Sequence, residues 1–263
     1  MKPTEENTTA APSTTYRSRW GRFSPAMGWK LFFSEIIIVV LGVMIALAAN
    51  EAVENWNWQN KVRDGEARLR DDVERVFINA AELYVTAPCV DSQLSDLTDN
   101  LMKSGDSLTP MPIYSEKIIG SYVVRYPDRP YSFAVWQSLL ADGTVAHISK
   151  ARQPYYSKIN NTILRFQSEN SKSQQALGRL GVMAFPIALD AGVRKDLLVE
   201  IEEQRLRYLS LRVYALREMV RIREISLQPK SEAVDASLKE SGTVQFCKEH
   251  GKPLADWRTY TAR

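Results

Sequence analysis

From Leu31 to Ala49 the chain runs nineteen residues with a single ionisable side chain, Glu35. Coiled as a helix, this stretch covers roughly 28 Å, close to the hydrocarbon thickness of a bilayer, and it predicts one membrane-spanning helix. No second run is as long. Beyond it, apolar residues recur every third or fourth position, the mark of amphipathic helices. Val62, Leu69, Val76 and Leu83 stand seven apart, with Glu66, Val73 and Ala80 between them. No proline follows the anchor until Pro88, so the membrane helix is expected to run on to Ala87, about 85 Å in all, with Gly65 as its soft point. The heptad reads as core packing within one domain ahead of a dimeric coiled-coil seam.

Pro88 and Cys89 are expected to open a second helix, with Leu94, Leu97 and Leu101 on one face and Gly105 beyond its end. Ile118 to Tyr126 alone has strand-like composition. It is too isolated to build a sheet and reads as a short helix or extended segment, followed by a turn at Pro127–Pro130. Ser132 to Ala141 predicts a short helix ending at Asp142-Gly143. From Gln153 a stripe of Tyr156, Ile163, Asn170, Leu177 and Ala184, with Ile159, Phe166, Ser173 and Leu180 beside it, predicts a long helix. Its polar middle, Asn170 and Ser173, reads as a locally exposed stretch ahead of a wet groove or register-setting contact. Asp190 opens the last long helix, to about Leu227. Leu198, Ile201, Leu209, Val213, Leu216 and Val220 are expected to face inward, and Arg205, Arg207, Arg212, Arg217, Arg221 and Arg223 to occupy a solvated face. After Pro229 the chain turns polar. The fold class that follows is all-α: one N-terminal transmembrane helix continuing into an antiparallel helical bundle. Its segments are a disordered, basic tail (1–28), the transmembrane helix (29–51), a helical domain (52–228) and a C-terminal tail packed on that domain (229–263).

Charge sets the orientation. The net charge of +3 is placed unevenly: residues 1–30 hold five Lys/Arg against two Asp/Glu, whereas the chain after Ala49 carries 29 against 28. The sequence pI near 8.8 therefore points to no basic patch for nucleic acid. Arg17, Arg19, Arg22 and Lys30 precede the apolar run and Glu51 and Glu54 follow it, which places the N-terminus in the cytoplasm and the main domain across the membrane. Trp20, Phe23 and Trp29 before the run, and Trp56 and Trp58 after it, suit aromatic belts. Ala46-Leu47-Ala48 would suit signal cleavage, but the apolar run is longer than a signal h-region and Glu35 interrupts it, so an uncleaved anchor is favoured. Gly42 and Ala46 form a small-xxx-small pair continued by Asn50, a candidate face for helix–helix contact in the membrane together with Glu35.

The run Glu35, Ile38, Val39, Gly42, Val43, Ala46, Leu47, Asn50, then Trp56, resembles the N-terminal anchor of a group of uncharacterised bacterial single-pass membrane proteins. Trp136, Leu139 and Gly143, followed by Tyr155 and Tyr156, resemble the middle of that group. The resemblance implies a bacterial membrane protein with a helical extramembrane domain, hence the inner membrane and a periplasmic domain. It brings no known activity.

No catalytic signature accompanies this architecture. There is no nucleophile elbow, no P-loop and no dinucleotide fingerprint. His147 and His250 are the only histidines, and Cys247-x-x-His250 is a lone pair of potential ligands where zinc needs three or four. No metal, cofactor or small-molecule substrate is expected. Cys89 and Cys247 are the only cysteines, and in an oxidising compartment they most simply form one disulfide; two unpaired buried thiols are the alternative. The expected function is non-enzymatic: a membrane-anchored interaction or scaffold protein whose partners are the lipid bilayer and another protein or a second copy. A ligand-sensing domain that signals through a partner is the alternative.

Overall fold

The computed structural model describes residues 29–116 and 120–262. The disordered, basic tail expected over 1–28 lies outside the described residues. The chain divides into two compact units, one up to Asn55 and the other from Trp56.

The first unit is the early part of helix α1 (Trp29–Lys103). It is long and apolar enough to cross a membrane. Ile36 to Leu41, Val43 to Ile45 and Leu47 are all exposed, so no described part of the chain covers them. A continuous apolar surface of this extent is one that soluble proteins avoid.

In the second unit α1 is the core element. Leu69, Val73, Val76, Ala80 and Leu83 are fully buried, so the heptad of the sequence is an intradomain seam. Two expectations about α1 are corrected. Pro88 does not start a new helix; it sits inside α1, which continues to Lys103. A proline inside a helix costs about 3 kcal/mol. Val90, Leu94, Leu97 and Leu101 beyond it are buried, and burying each contributes about 1.5–3 kcal/mol, so packing outweighs the break. Gly65 is not a soft point either. A Cβ there would stand 2.8 Å from Cδ2 of the buried Leu139, so the residue lets a second helix approach closely. Replacing Gly65 by leucine is expected to destabilise the domain by about 1–3 kcal/mol through overpacking. An unchanged urea midpoint in that variant would rule out the tight contact.

α1 ends where Arg194 caps it: its guanidinium donates to the carbonyls of Leu101, Ser104 (3.0 Å) and Gly105 (2.8 Å). Strands β1 (Tyr114–Glu116) and β2 (Gly120–Tyr122) then pair as a small antiparallel hairpin. It falls across the stretch expected to be isolated: β1 lies upstream of the strand-like composition and supplies the missing partner. The segment 123–131 follows without regular secondary structure, with Val123, Val124, Tyr126 and Tyr131 buried in the core. Gln93 brackets it, accepting from the Arg125 amide at 2.7 Å and donating to its carbonyl at 2.9 Å.

Helix α2 (Ala134–Ala141) ends before Gly143, whose φ of +78° suits a residue without Cβ. Helix α3 (Gln153–Leu180) buries the whole expected stripe within its bounds, from Tyr156 to Leu180. The polar middle is corrected: Asn170 and Ser173 are buried, and Asn170 Nδ2 donates to the Arg129 carbonyl at 3.2 Å. The partner that makes burial of Asn170 tolerable lies 41 residues away in sequence, whereas the Ser173 hydroxyl has no hydrogen-bond partner among the described residues. Helix α4 (Ala191–Glu224) is capped by Asp190, whose Oδ1 accepts from the Val193 amide at 2.8 Å.

The mutual senses of the long helices follow from their bridging pairs. Arg179–Glu200, Arg165–Tyr214 and Arg221–Thr162 step in opposite directions along α3 and α4. Thr86–Tyr208, Asp91–Arg205 and Leu101–Arg194 do the same along α1 and α4. Helix α4 therefore opposes both, and α1 and α3 share one sense. A short loop joins α3 to α4, whereas α1 reaches α3 through the long crossover that carries β1, β2 and α2.

The polar C-terminal stretch is more ordered than its composition suggests. It forms α5 (Ser231–Glu240) and α6 (Gly242–Glu249). Cys247 on α6 stands at disulfide distance from Cys89 on α1, with Cα atoms 6.0 Å apart. Ala255 donates to the Val85 carbonyl at 2.9 Å, and Trp257 packs edge-on against Phe77.

Candidate interaction surface

Helix α4 carries two apolar stripes, and the one that faces inward is out of phase with the one expected from the sequence. Leu197, Ile201, Tyr208, Leu211, Ala215, Met219 and Ile222 face the core, along with Gln204 and Glu218. Of the six residues expected inward, only Ile201 is fully buried. Leu198 and Leu216 are partly buried, whereas Leu209, Val213 and Val220 are exposed. Two polar residues on the true core face disguised it.

The second stripe points to solvent. Val199, Leu206, Val213 and Val220 stand seven residues apart, and Leu209 lies beside them. Leu206 and Leu209 are 62% and 55% exposed. Single exposed apolar residues are ordinary; a line of them at heptad spacing on a helix whose other face already fills a core has the spacing of a narrow coiled-coil seam. The signal was present in the sequence as the seven-residue spacing, but spacing alone does not say which of two stripes looks inward.

Beside the stripe, an apolar groove of about 420 Å³ opens between α1 and α4, lined by Ala87, Pro88, Leu94, Tyr208, Leu209 and Pro253 among others. Arg205 and Arg212 stand on its edge. Arg205 is held by Asp91 and Glu202, and Arg212 lies over the Tyr84 ring at 5.4 Å.

The inner face of α4 holds a buried carboxyl group. Glu218 is fully buried; one oxygen accepts from Arg221 and the other has no hydrogen-bond partner among the described residues. Burial pushes its pKa from 4.5 up to about 7, against the opposing pull of Arg221 and of the Thr162 hydroxyl. At low pH folded and unfolded chains both hold this proton. As pH rises from 4.5 to about 7 the unfolded chain releases it first, so stability falls through that window, by on the order of 3 kcal/mol in all. Glu218→Gln is therefore expected to be more stable than the native protein by about 2–3 kcal/mol at pH 8 and to lose that advantage near pH 5. Urea titrations at the two pH values check this, and an equal difference at both would refute it.

A second buried charge holds the C-terminal helices. Glu82, on the core side of α1, accepts from Arg129 Nε at 2.6 Å and Nη2 at 3.2 Å, and from the Ser241 hydroxyl. Ser241 also caps α6 through the Val244 amide. A polar cavity of about 160 Å³ adjoins this cluster, lined by Arg125, Asp128, Arg129 and Thr243 among others.

Of the residues singled out for contact in the membrane, Glu35, Gly42, Ala46 and Asn50 are exposed on the first unit, and a Cβ at Gly42 would meet nothing within 4 Å. Cys89 and Cys247 are brought together. The histidines serve packing: His147 stacks on Trp58 at 4.0 Å, and His250 stacks on Phe246 at 4.1 Å. Trp58, expected in an interfacial belt, thus has a partner inside the domain. Among the described residues no group of three or more His, Cys, Asp or Glu is placed to hold a metal ion.

No protein-family model matches the chain, nor does any curated protein or solved structure.

Proposed function

We propose that this is a non-enzymatic, single-pass membrane protein whose helical domain binds another protein on the far side of a bacterial inner membrane. The N-terminus is cytoplasmic and the domain periplasmic. The observation that carries the interaction is the exposed heptad stripe Val199, Leu206, Val213 and Val220 on a domain whose core is already filled. The apolar first helix, its basic N-terminal flank and the two cysteines at disulfide distance support the location. The anchor's resemblance to a group of uncharacterised bacterial membrane proteins agrees with it.

A photo-crosslinking side chain placed at Leu206 or Val213 in cells tests the reading. Crosslinks to protein at these sites, and none from a control at exposed Lys172, are expected. Absence of protein crosslinks at both stripe sites in the folded, membrane-inserted protein would refute it.

One observation favours a second reading, a ligand-sensing domain that signals through a partner: the apolar groove beside Pro88, with arginines on its edge. The ligand reading rests on the groove, the protein reading on the stripe beside it.

A further inference from the structure

The charge beside the α4 stripe is one-sided. From Arg205 to its end at Glu224 the helix carries six arginines and two carboxylates; Glu218 is buried, and Glu224 is the last residue of the helix. Arg205 and Arg207 are paired with carboxylates from the helix's own N-terminal half and from α1, and Arg221 with Glu218. Among the described residues, Arg212, Arg217 and Arg223 have no carboxylate in ion-pair range; Arg217 and Arg223 are exposed. The apolar positions Leu209, Val213, Leu216 and Val220 run between these three cations. An apolar seam edged by unneutralised arginines is complementary to a helix with the opposite edges.

We propose that the C-terminal half of α4, from Leu206 to Arg223, docks an amphipathic α-helix of a partner protein that carries Asp or Glu on both edges of its apolar stripe. This rests on the reading of the domain as an interaction module and names the partner's chemistry. Two other occupants fit less well. Of the α4 carboxylates a second copy would bring, Glu218 is buried and Glu200, Glu202 and Glu203 are engaged with Arg179, Arg205 and Arg207, which leaves Asp196 and Glu224 near the two ends of the helix, too few to edge the stripe. An anionic membrane surface asks for a broad apolar face, and this one is a seam one or two residues wide.

The test uses the full-length protein in nanodiscs and three labelled helical peptides. Two share one apolar register, one with glutamates and one with lysines at the edge positions; the third keeps the glutamates with its apolar residues scrambled. Fluorescence anisotropy is expected to show the glutamate-edged peptide binding at least tenfold tighter than the other two, and more weakly as salt rises. Val213→Asp should weaken it tenfold or more. The double variant Arg217→Glu with Arg223→Glu should transfer the preference to the lysine-edged peptide. Circular dichroism and retention of the Cys89–Cys247 bond confirm that each variant is folded. Equal binding of all three peptides, no binding of the glutamate-edged one, or an unmoved preference in the charge-reversed variant would overturn the proposal. Crosslinks from Val213 to a second copy or to lipid would overturn it too. If Val213 crosslinks to a different protein while the glutamate-edged peptide fails to bind, the interaction reading stands and this partner chemistry falls. If Val213 and Leu206 crosslink to no protein, both fall.

Discussion

Replacing Cys89 and Cys247 together by serine is expected to lower the stability of the domain by about 4–5 kcal/mol, the largest effect of any change considered. The two residues are separated by 158 positions, so the bond closes a loop spanning most of the domain. Cross-linking a loop of that length removes much of the unfolded chain's freedom, and the entropic gain grows with the logarithm of loop length. Both side chains are fully buried, so the serine hydroxyls would add a desolvation cost of their own. The loss should appear as a lower urea midpoint for the second unit, read by tryptophan fluorescence on the full-length protein in detergent. Reduction of the native protein should produce most of the same shift. α6 should loosen first, because the bond is what joins it covalently to α1. A loss under 1 kcal/mol would mean that the pair adds little to the fold.

Arg129→Ala is expected to cost about 3–5 kcal/mol, and Glu82→Gln distinctly less, about 1–2 kcal/mol. The asymmetry follows from exposure. The Arg129 side chain is 41% exposed and the Glu82 side chain 3% exposed. Removing the arginine strands a carboxylate in the core with the Ser241 hydroxyl and the more distant charge of Arg125. Neutralising the glutamate leaves a guanidinium that can reach water, and the amide that replaces the carboxylate still accepts hydrogen bonds. Because Glu82 joins α1 to the segment 123–131 and to the α5–α6 junction, the damage should spread to both. Hydrogen exchange would then show lost protection across residues 123–131 and at the start of α6. Equal costs for the two substitutions, or the reverse order, would remove Glu82 as the tie between these parts.

Different parts of the chain were legible in the sequence for different reasons. The first helix was plain, because an apolar run of that length has few alternatives. The α3 stripe came through at its apolar positions from Tyr156 to Leu180, because only one face of that helix is apolar, but not at Asn170 and Ser173 in its middle. The cysteine pairing followed from there being two cysteines and one inferred compartment. Helix α4 was legible in its bounds and not in its orientation. It carries two apolar stripes, and a period gives spacing without phase. Gln204 and Glu218 on the core face pulled the reading toward the wrong side. Two of the buried polar residues, Asn170 and Glu82, depend on Arg129, 41 and 47 positions away, and no local pattern announces such a partner. Pro88 and Gly65 were read by their local preferences, and tertiary packing overrode both. The outer α4 stripe was therefore visible in the sequence as a spacing, but only the fold shows that it faces out.

Labelling of the two cysteines in intact cells with a membrane-impermeant thiol reagent, with and without prior reduction, tests most directly the claim that an anchored domain is held by a disulfide beyond the membrane. The account predicts no labelling of the native protein, labelling at both Cys89 and Cys247 after reduction, and an intact N-terminal segment in the mass of the product. Thiols that label without reduction, and only once the cells are lysed, would contradict it, placing a reduced domain on the cytoplasmic side.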